Sequence, residues 1–197
     1  MLSKKLCYIL RHRATKLGID VGDDGYMKLD DVLDSDPMLH DLSVDDVRKI
    51  VDNNDKKRFT LLERDGIMYI RANQGHTMKQ TIKSESLLAP VTDDNIVAIH
   101  GTYYKNLPYI RKDGLSRMKR NHIHFSKGLP GSSKVISGMR YNVEVLIYLN
   151  VPKILSCKSL PLYESTNGVI LCEGNERGYI KPEFFSKIVD IRTGKQI

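Results

Sequence analysis

Arg58-Phe59-Thr60-Leu61-Leu62-Glu63 and Gly66-Ile67-Met68-Tyr69-Ile70-Arg71 are two β-prone runs meeting at an Asp65-Gly66 turn, and they read as a hairpin. The residues before it read as helices. Ser43-Val44-Asp45-Asp46 has the form of an N-cap with acids in the first turn, and Val44, Val47, Ile50 and Val51 give the helix that follows a stripe to bury. A shorter helix fits residues 29–33. At the start of the chain, Leu2, Leu6, Ile9, Leu10 and Leu17 fall at helical spacings over residues 2–17; Gly18 stops the run and Asp23-Asp24-Gly25 turns the chain. Three short helices followed by a hairpin form the pattern of a winged helix, a module used for nucleic-acid binding and also for protein contacts.

Residues 81–94, rich in Ser, Thr and Asp with one Pro, read as a linker. Beyond them β-prone runs dominate: Ile96-Val97-Ala98-Ile99 leading into His100-Gly101-Thr102, then 123–125, 143–149 and 168–171. One helix fits between Tyr103 and Lys112 and ends at Gly114. The expectation is an α+β protein: a winged-helix lobe over residues 1–85 and a β-rich lobe over 90–197.

With 197 residues, 41% hydrophobic and 28% charged, the chain can bury a real core. No apolar run reaches the roughly 20 residues of a membrane helix, and the Met1-Leu2-Ser3-Lys4-Lys5 opening lacks a signal-peptide apolar region. Three scattered cysteines (Cys7, Cys157, Cys172) argue against a disulfide framework and for a reducing setting, hence cytoplasmic or, in a eukaryote, nuclear. No association stripe is apparent, so a monomer is expected. The charge is uneven. Residues 1–90 hold 15 Lys and Arg against 15 Asp and Glu, whereas residues 91–197 hold 16 against 9, the whole of the net +7. Arg111, Lys112, Arg117, Lys119, Arg120, Lys127, Lys134 and Arg140 crowd residues 111–140 with one acid, Asp113. Such a run is either a solvated face or the footprint of a polyanion.

Four local constellations bear on chemistry. Arg11-His12 lies within the first helix, pairing a permanent cation that forks onto phosphate with a group that exchanges protons near neutrality. Lys56-Lys57-Arg58 opens the hairpin. His100-Gly101-Thr102 ends a buried run, where Gly admits close approach and His and Thr can bond a ribose or amide. The run 114–126 crowds basic residues against His122, His124 and Ser126. No third ligand stands at metal spacing, so a phosphate or nucleotide site is the better reading and no metal is expected.

Taken in order, Leu2-Ser3-Lys4, Leu10-Arg11-His12, Asp24-Gly25-Tyr26, Asn54-Asp55-Lys56-Lys57-Arg58-Phe59, Ile70-Arg71-Ala72-Asn73-Gln74-Gly75-His76, His100-Gly101-Thr102, Gly114-Leu115, Arg120-Asn121-His122-Ile123-His124 and Asn167-Gly168-Val169-Ile170-Leu171 resemble the RNA 2′-phosphotransferase family over essentially the full length. The sequence departs at Arg13, where a small residue is frequent, and at Thr77, where Ser is common; neither position is expected to touch a residue assigned to chemistry. The resemblance implies a winged-helix lobe, a second lobe of ADP-ribosyltransferase type with the active site between them, and NAD consumed as co-substrate. It implies removal of an internal 2′-phosphate from RNA such as spliced tRNA: the phosphate displaces nicotinamide, then the neighbouring ribose hydroxyl attacks phosphorus and releases ADP-ribose cyclic phosphate.

Carried over residue by residue, the catalytic set is Arg11, His12, Arg58 and Arg120, with Arg120 preferred to Arg117 because it directly precedes Asn121-His122-Ile123-His124. His100, Gly101, Thr102, His124 and Ser126 would hold NAD, and Arg140 would meet its pyrophosphate or the RNA backbone. Val169-Ile170 occupies the place where many ADP-ribosyltransferases carry a catalytic Glu, so Glu173 is not expected to be catalytic. An ionised phosphate nucleophile needs no base. Two rival readings are an ADP-ribosyltransferase that leaves its product on phosphorylated nucleic-acid ends, and a non-catalytic RNA-binding module.

Overall fold

A computed structural model of the chain describes all residues except 130–131 and 133–136. It divides into two compact units, Met1–Leu87 and Leu88–Ile197, and contains both helix and antiparallel sheet in the α+β manner.

The first unit opens with helix α1 (Leu2–Tyr8), which continues as a wider π-helical turn, Ile9–Arg13, and a tight 3₁₀ turn, Ala14–Leu17. The helical path therefore covers the expected residues but is not one regular helix. Its changed winding leaves Leu17, expected on the buried stripe, 40% exposed. Gly18 ends it in the left-handed region, at φ 75°. Strand β1 (Met27–Lys28) and helix α2 (Leu29–Asp34) follow, then α3 (Val44–Asp52). Ser43 caps α3 in a reciprocal box with Asp46. Of the expected α3 stripe only Val47 is fully buried; Val44, Ile50 and Val51 are half-buried. β2 (Phe59–Arg64) and β3 (Ile67–Ala72) pair from Phe59↔Ala72 to Arg64↔Ile67, and β1 adds on the far side of β3. Asp65 and Gly66 both have positive φ, 51° and 75°, as a two-residue turn matched to strand twist demands. Leu6, Leu10, Met27, Leu29, Val32 and Ile70 are buried beneath this sheet and the helices.

Residues 81–94 are not the bare linker expected. They carry α4 (Ser84–Leu87) and β4 (Ala89–Pro90), with Ile82, Leu87 and Leu88 buried. Isolated apolar residues anchor this polar stretch.

In the second unit, β5 (Ile99–Thr102) is followed by a 3₁₀ turn and helix α5 (Leu107–Asp113), which stops at Gly114. β6 (Leu115–Ser116), β7 (Ile123–Phe125), β8 (Val145–Leu149), α6 (Val151–Leu155), β9 (Leu162–Glu164), β10 (Ile170–Cys172), β11 (Tyr179–Ile180) and β12 (Phe185–Asp190) complete it. β8 is central between β5 and β12, and β10 lies between β9 and β7. The end of β7 meets β5 through a two-way bond between Ile99 and Ser126, 2.9 and 2.8 Å. Phe125, Val145, Ile147, Ile154, Ile170 and Cys172 form the core.

Candidate active site

The π-helical turn decides where Arg11 and His12 point. It is closed by the Ala14 N–H donating to the Ile9 carbonyl five residues back. The Arg11 carbonyl accepts from the neighbouring segment instead: the Thr77 backbone N–H lies 3.0 Å away and the Thr77 hydroxyl donates at 3.3 Å. The 3.2 Å contact between Nδ1 and Thr77 Oγ1 fixes the orientation of the His12 ring, its direction following the ring's tautomer. Gly75, at φ 90°, lies flat against the Arg11 guanidinium; a Cβ there would stand 3.4 Å from three of its atoms, on a backbone that L residues resist.

Arg58 is held from two sides. Buried Asn54 accepts from its backbone N–H at 3.1 Å and from its Nη1 at 3.2 Å, while Asn54 itself donates to Ser3 Oγ at 3.0 Å. Buried Asn73 bonds the Arg58 carbonyl at 2.8 Å and the Lys57 carbonyl at 2.8 Å, and receives Thr60's hydroxyl at 2.6 Å. Arg11 and Arg58 converge on common ground: burial raises the Cys7 thiol's pKa, while the charges of both guanidiniums pull against that rise. Thr77, expected to touch nothing of chemical use, thus contacts both Arg11 and His12. Asn54, Asn73 and Gly75 join it as positioning residues. The resemblance had only named them as motif letters; the fold supplies their contacts.

The second unit contains a cleft of about 550 Å³ lined by His100, Thr102, Arg120, His124 and Arg140, among others. His100, Gly101 and Thr102 are not a turn after a strand but lie within β5 itself. His100 Nδ1 donates to the His124 carbonyl at 2.9 Å, so Nε2 is an acceptor suited to a hydroxyl donor such as a ribose. Burial lowers the His100 pKa below its usual 6.5 and the Arg120 charge lowers it further, against the raising effect of the His124 carbonyl. Thr102 is buried and accepts from Asn106 Nδ2 at 3.2 Å.

Gly101 lines the cleft and is also packed tightly on its Cα side. A Cβ there would fall 2.7 Å from Met139 and 2.8 Å from Val143, so its missing side chain makes room for these two residues. Ser126 is fully buried, and its hydroxyl donates to the Gly128 carbonyl at 2.8 Å.

Among the basic residues, Arg120 and Arg140 line the cleft, and Arg120's pKa is lowered by burial and by the like charge of Arg140. Two guanidiniums this close form a ready anion site. Arg117 also reaches the cleft wall but is engaged, its Nη1 donating to the Arg120 carbonyl at 2.9 Å and its stem lying across Gly178. Lys127 pairs with Glu164 at 2.6 Å. Lys134 lies outside the described residues. His122 faces Glu173 at 4.0 Å, giving that carboxylate a partner away from the cleft. A second cavity of about 400 Å³ adjoins the first, sharing His100, Thr102, Asn106, Ser116 and Met118 and adding the more apolar walls of Tyr109, Ile110 and Tyr179. A continuous polar-to-apolar trough suits a ligand with charged and aromatic parts.

Comparison with known proteins agrees with the resemblance. The model described as "RNA 2'-phosphotransferase, Tpt1 / KptA family" matches residues 1–174. A Danio rerio protein named tRNA 2'-phosphotransferase 1 is 41% identical over 189 residues, covering 94% of this chain and 83% of its own. A Homo sapiens protein of the same name is 38% identical, covering 99% and 77%. The Saccharomyces cerevisiae tRNA 2'-phosphotransferase is 35% identical, covering 95% and 82%.

Proposed function

This chain belongs to the RNA 2′-phosphotransferase family and is a transferase, and on that premise we propose that it removes an internal 2′-phosphate from RNA, tRNA foremost, at the expense of NAD. In this reading the first unit is a winged-helix lobe and the second an ADP-ribosyltransferase-type lobe.

The observation that carries the NAD assignment is the cleft in which neutral His100 offers a hydroxyl acceptor beside the paired guanidiniums of Arg120 and Arg140. A dinucleotide brings ribose hydroxyls and a pyrophosphate in that combination. In the first step a 2′-phosphate oxygen bonds to the ribose carbon bearing nicotinamide, and nicotinamide departs with the electron pair of the broken C–N bond. In the second, the adjacent ribose hydroxyl attacks phosphorus, the bond to the RNA 2′-oxygen breaks, and ADP-ribose 1″,2″-cyclic phosphate leaves. The proton lost by the attacking hydroxyl equals the one gained by the RNA oxygen, so one imidazole can serve both. His12, its ring held by Thr77, is suited to that exchange. Arg11, Arg58 and Arg120 neutralise phosphoryl charge without ever losing a proton.

The reading is tested by incubating the protein with NAD and an oligoribonucleotide carrying one internal 2′-phosphate. Loss of that phosphate with equimolar nicotinamide release is expected. An ADP-ribosylated RNA that accumulates without dephosphorylation would instead indicate the transferase acting on phosphorylated ends. Binding without nicotinamide release would leave only an RNA-binding module.

A further inference from the structure

The first unit's zero net charge conceals a separation along the sequence, although Lys5 and Lys83 pair across it with Asp36 and Asp23. All of its acids up to residue 90 lie within residues 20–65 or at Glu85; residues 1–19 and 66–84 contain none. Those two acid-free stretches carry Lys4, Lys5, Arg11, Arg13 and Lys16 in one and Arg71, Lys79 and Lys83 in the other. The fold ties them together through the Thr77 bonds to Arg11 and His12. Between them runs a groove of about 480 Å³, beginning at His12 and Thr77 and continuing past Thr15, Lys16, Lys79 and Thr81.

The lining chemistry is specific. It comprises ammonium groups, threonine hydroxyls and the Gln80 amide, with no carboxylate and no Tyr, Phe or Trp. Lys16 and Lys79 are exposed, as is Gln80, whereas residues 72–76 just before the groove are buried. Apart from the His12 imidazole at one end and the Gln80 amide, the lining offers ammonium and hydroxyl donors, which suit phosphodiester oxygens and sugar hydroxyls, and none of the Tyr, Phe or Trp side chains on which bases stack. A protein partner would need apolar anchors, and Met78, the one large apolar side chain in the lining, is buried.

We propose that this groove holds the sugar-phosphate backbone of the RNA strand flanking the 2′-phosphorylated nucleotide, so that the enzyme reads the length of its substrate through Lys16 and Lys79. The proposal rests on the functional reading above. It adds a contact with the RNA outside the reacting nucleotide that is indifferent to base sequence.

The test compares two substrates, a 2′-phosphorylated dinucleotide and a ten-residue oligoribonucleotide with a central 2′-phosphate, on the wild type and the Lys16→Ala/Lys79→Ala variant. Fluorescence anisotropy on the same labelled RNAs without NAD is read alongside. The wild type is expected to prefer the longer RNA, and the double variant to lose about tenfold of that preference at low salt; two lost phosphate contacts should also flatten the log–log salt dependence by about 1.4. Changing the flanking bases should not alter the preference. An unchanged long-to-short ratio in the variant, or a wild type without length preference, overturns the groove assignment. Absence of nicotinamide release on every substrate overturns the functional reading instead, and the anisotropy comparison then still decides the groove.

Discussion

Thr77 stands 3.2 Å from His12 and simultaneously bonds the carbonyl of Arg11, so one side chain ties the imidazole to the backbone that carries it. Thr77→Val keeps the shape and removes the hydroxyl. Its expected effect is a fall in kcat of about tenfold, the worth of one net hydrogen bond, with KM for NAD little changed. Thr77→Ser should restore the rate, and nitrogen chemical shifts of His12 should report the lost contact in the Val variant alone.

Arg120 and Arg117 should separate cleanly. Arg120→Ala is expected to cost about 10²–10³ in kcat, as for other preorganised donors aimed at developing charge. Arg117→Ala removes a cation at the cleft wall that is already engaged with the Arg120 carbonyl, and should cost roughly tenfold. Single-turnover rates on a 2′-phosphorylated oligonucleotide distinguish them, and equal losses would contradict the assignment.

His100 should titrate below 6.5, because burial and then Arg120 disfavour its cationic form against the opposing pull of the His124 carbonyl. The folded state then binds this proton less readily than the unfolded chain. Its contribution to stability is therefore level above about 6.5 and declines as pH falls from there towards the folded pKa. NMR titration checks the direction. Arg120→Ala should move the His100 titration upward, and an unmoved value would deny the two residues their electrostatic contact.

Gly101→Ala sets a Cβ against Met139 and Val143 and should destabilise by about 1–3 kcal/mol in denaturant titrations. Asn54→Ala should cost a similar amount by stranding buried donors of Arg58 and lower kcat/KM with it. Asn54→Ala, in the first unit, should leave NAD affinity of the second unit's cleft unchanged, whereas Gly101→Ala, within that cleft's lining, should lower it.

What could be read from the sequence was local. Strand alternation around Asp65-Gly66, the Ser43 cap and the stop at Gly18 are all written within a few residues of where they act. The helical spacing of Leu2 to Leu10 was equally plain, yet the wide turn at Ile9–Arg13 was not, since its outward-facing Arg11 carbonyl is bonded by a residue 66 positions away. The neighbours of Ser126 and Gly101, namely Gly128, Met139 and Val143, were not legible in the sequence because only the fold brings them there. The family motifs located Arg11, His12, Arg58 and Arg120, but the asparagines and the threonine that hold three of them owe their meaning to tertiary contacts.

The surplus winding at Ile9–Arg13 amounts to one amino acid more than a regular helix needs. Deleting one residue there would yield a tidier spiral and swing the side chains on one side of the cut about 100° around the axis. Because Leu6, Leu10 and Ala14 are all buried along this path, the shortened enzyme should lose stability as well as the aim of Arg11 and His12, the extra residue serving packing and chemistry together.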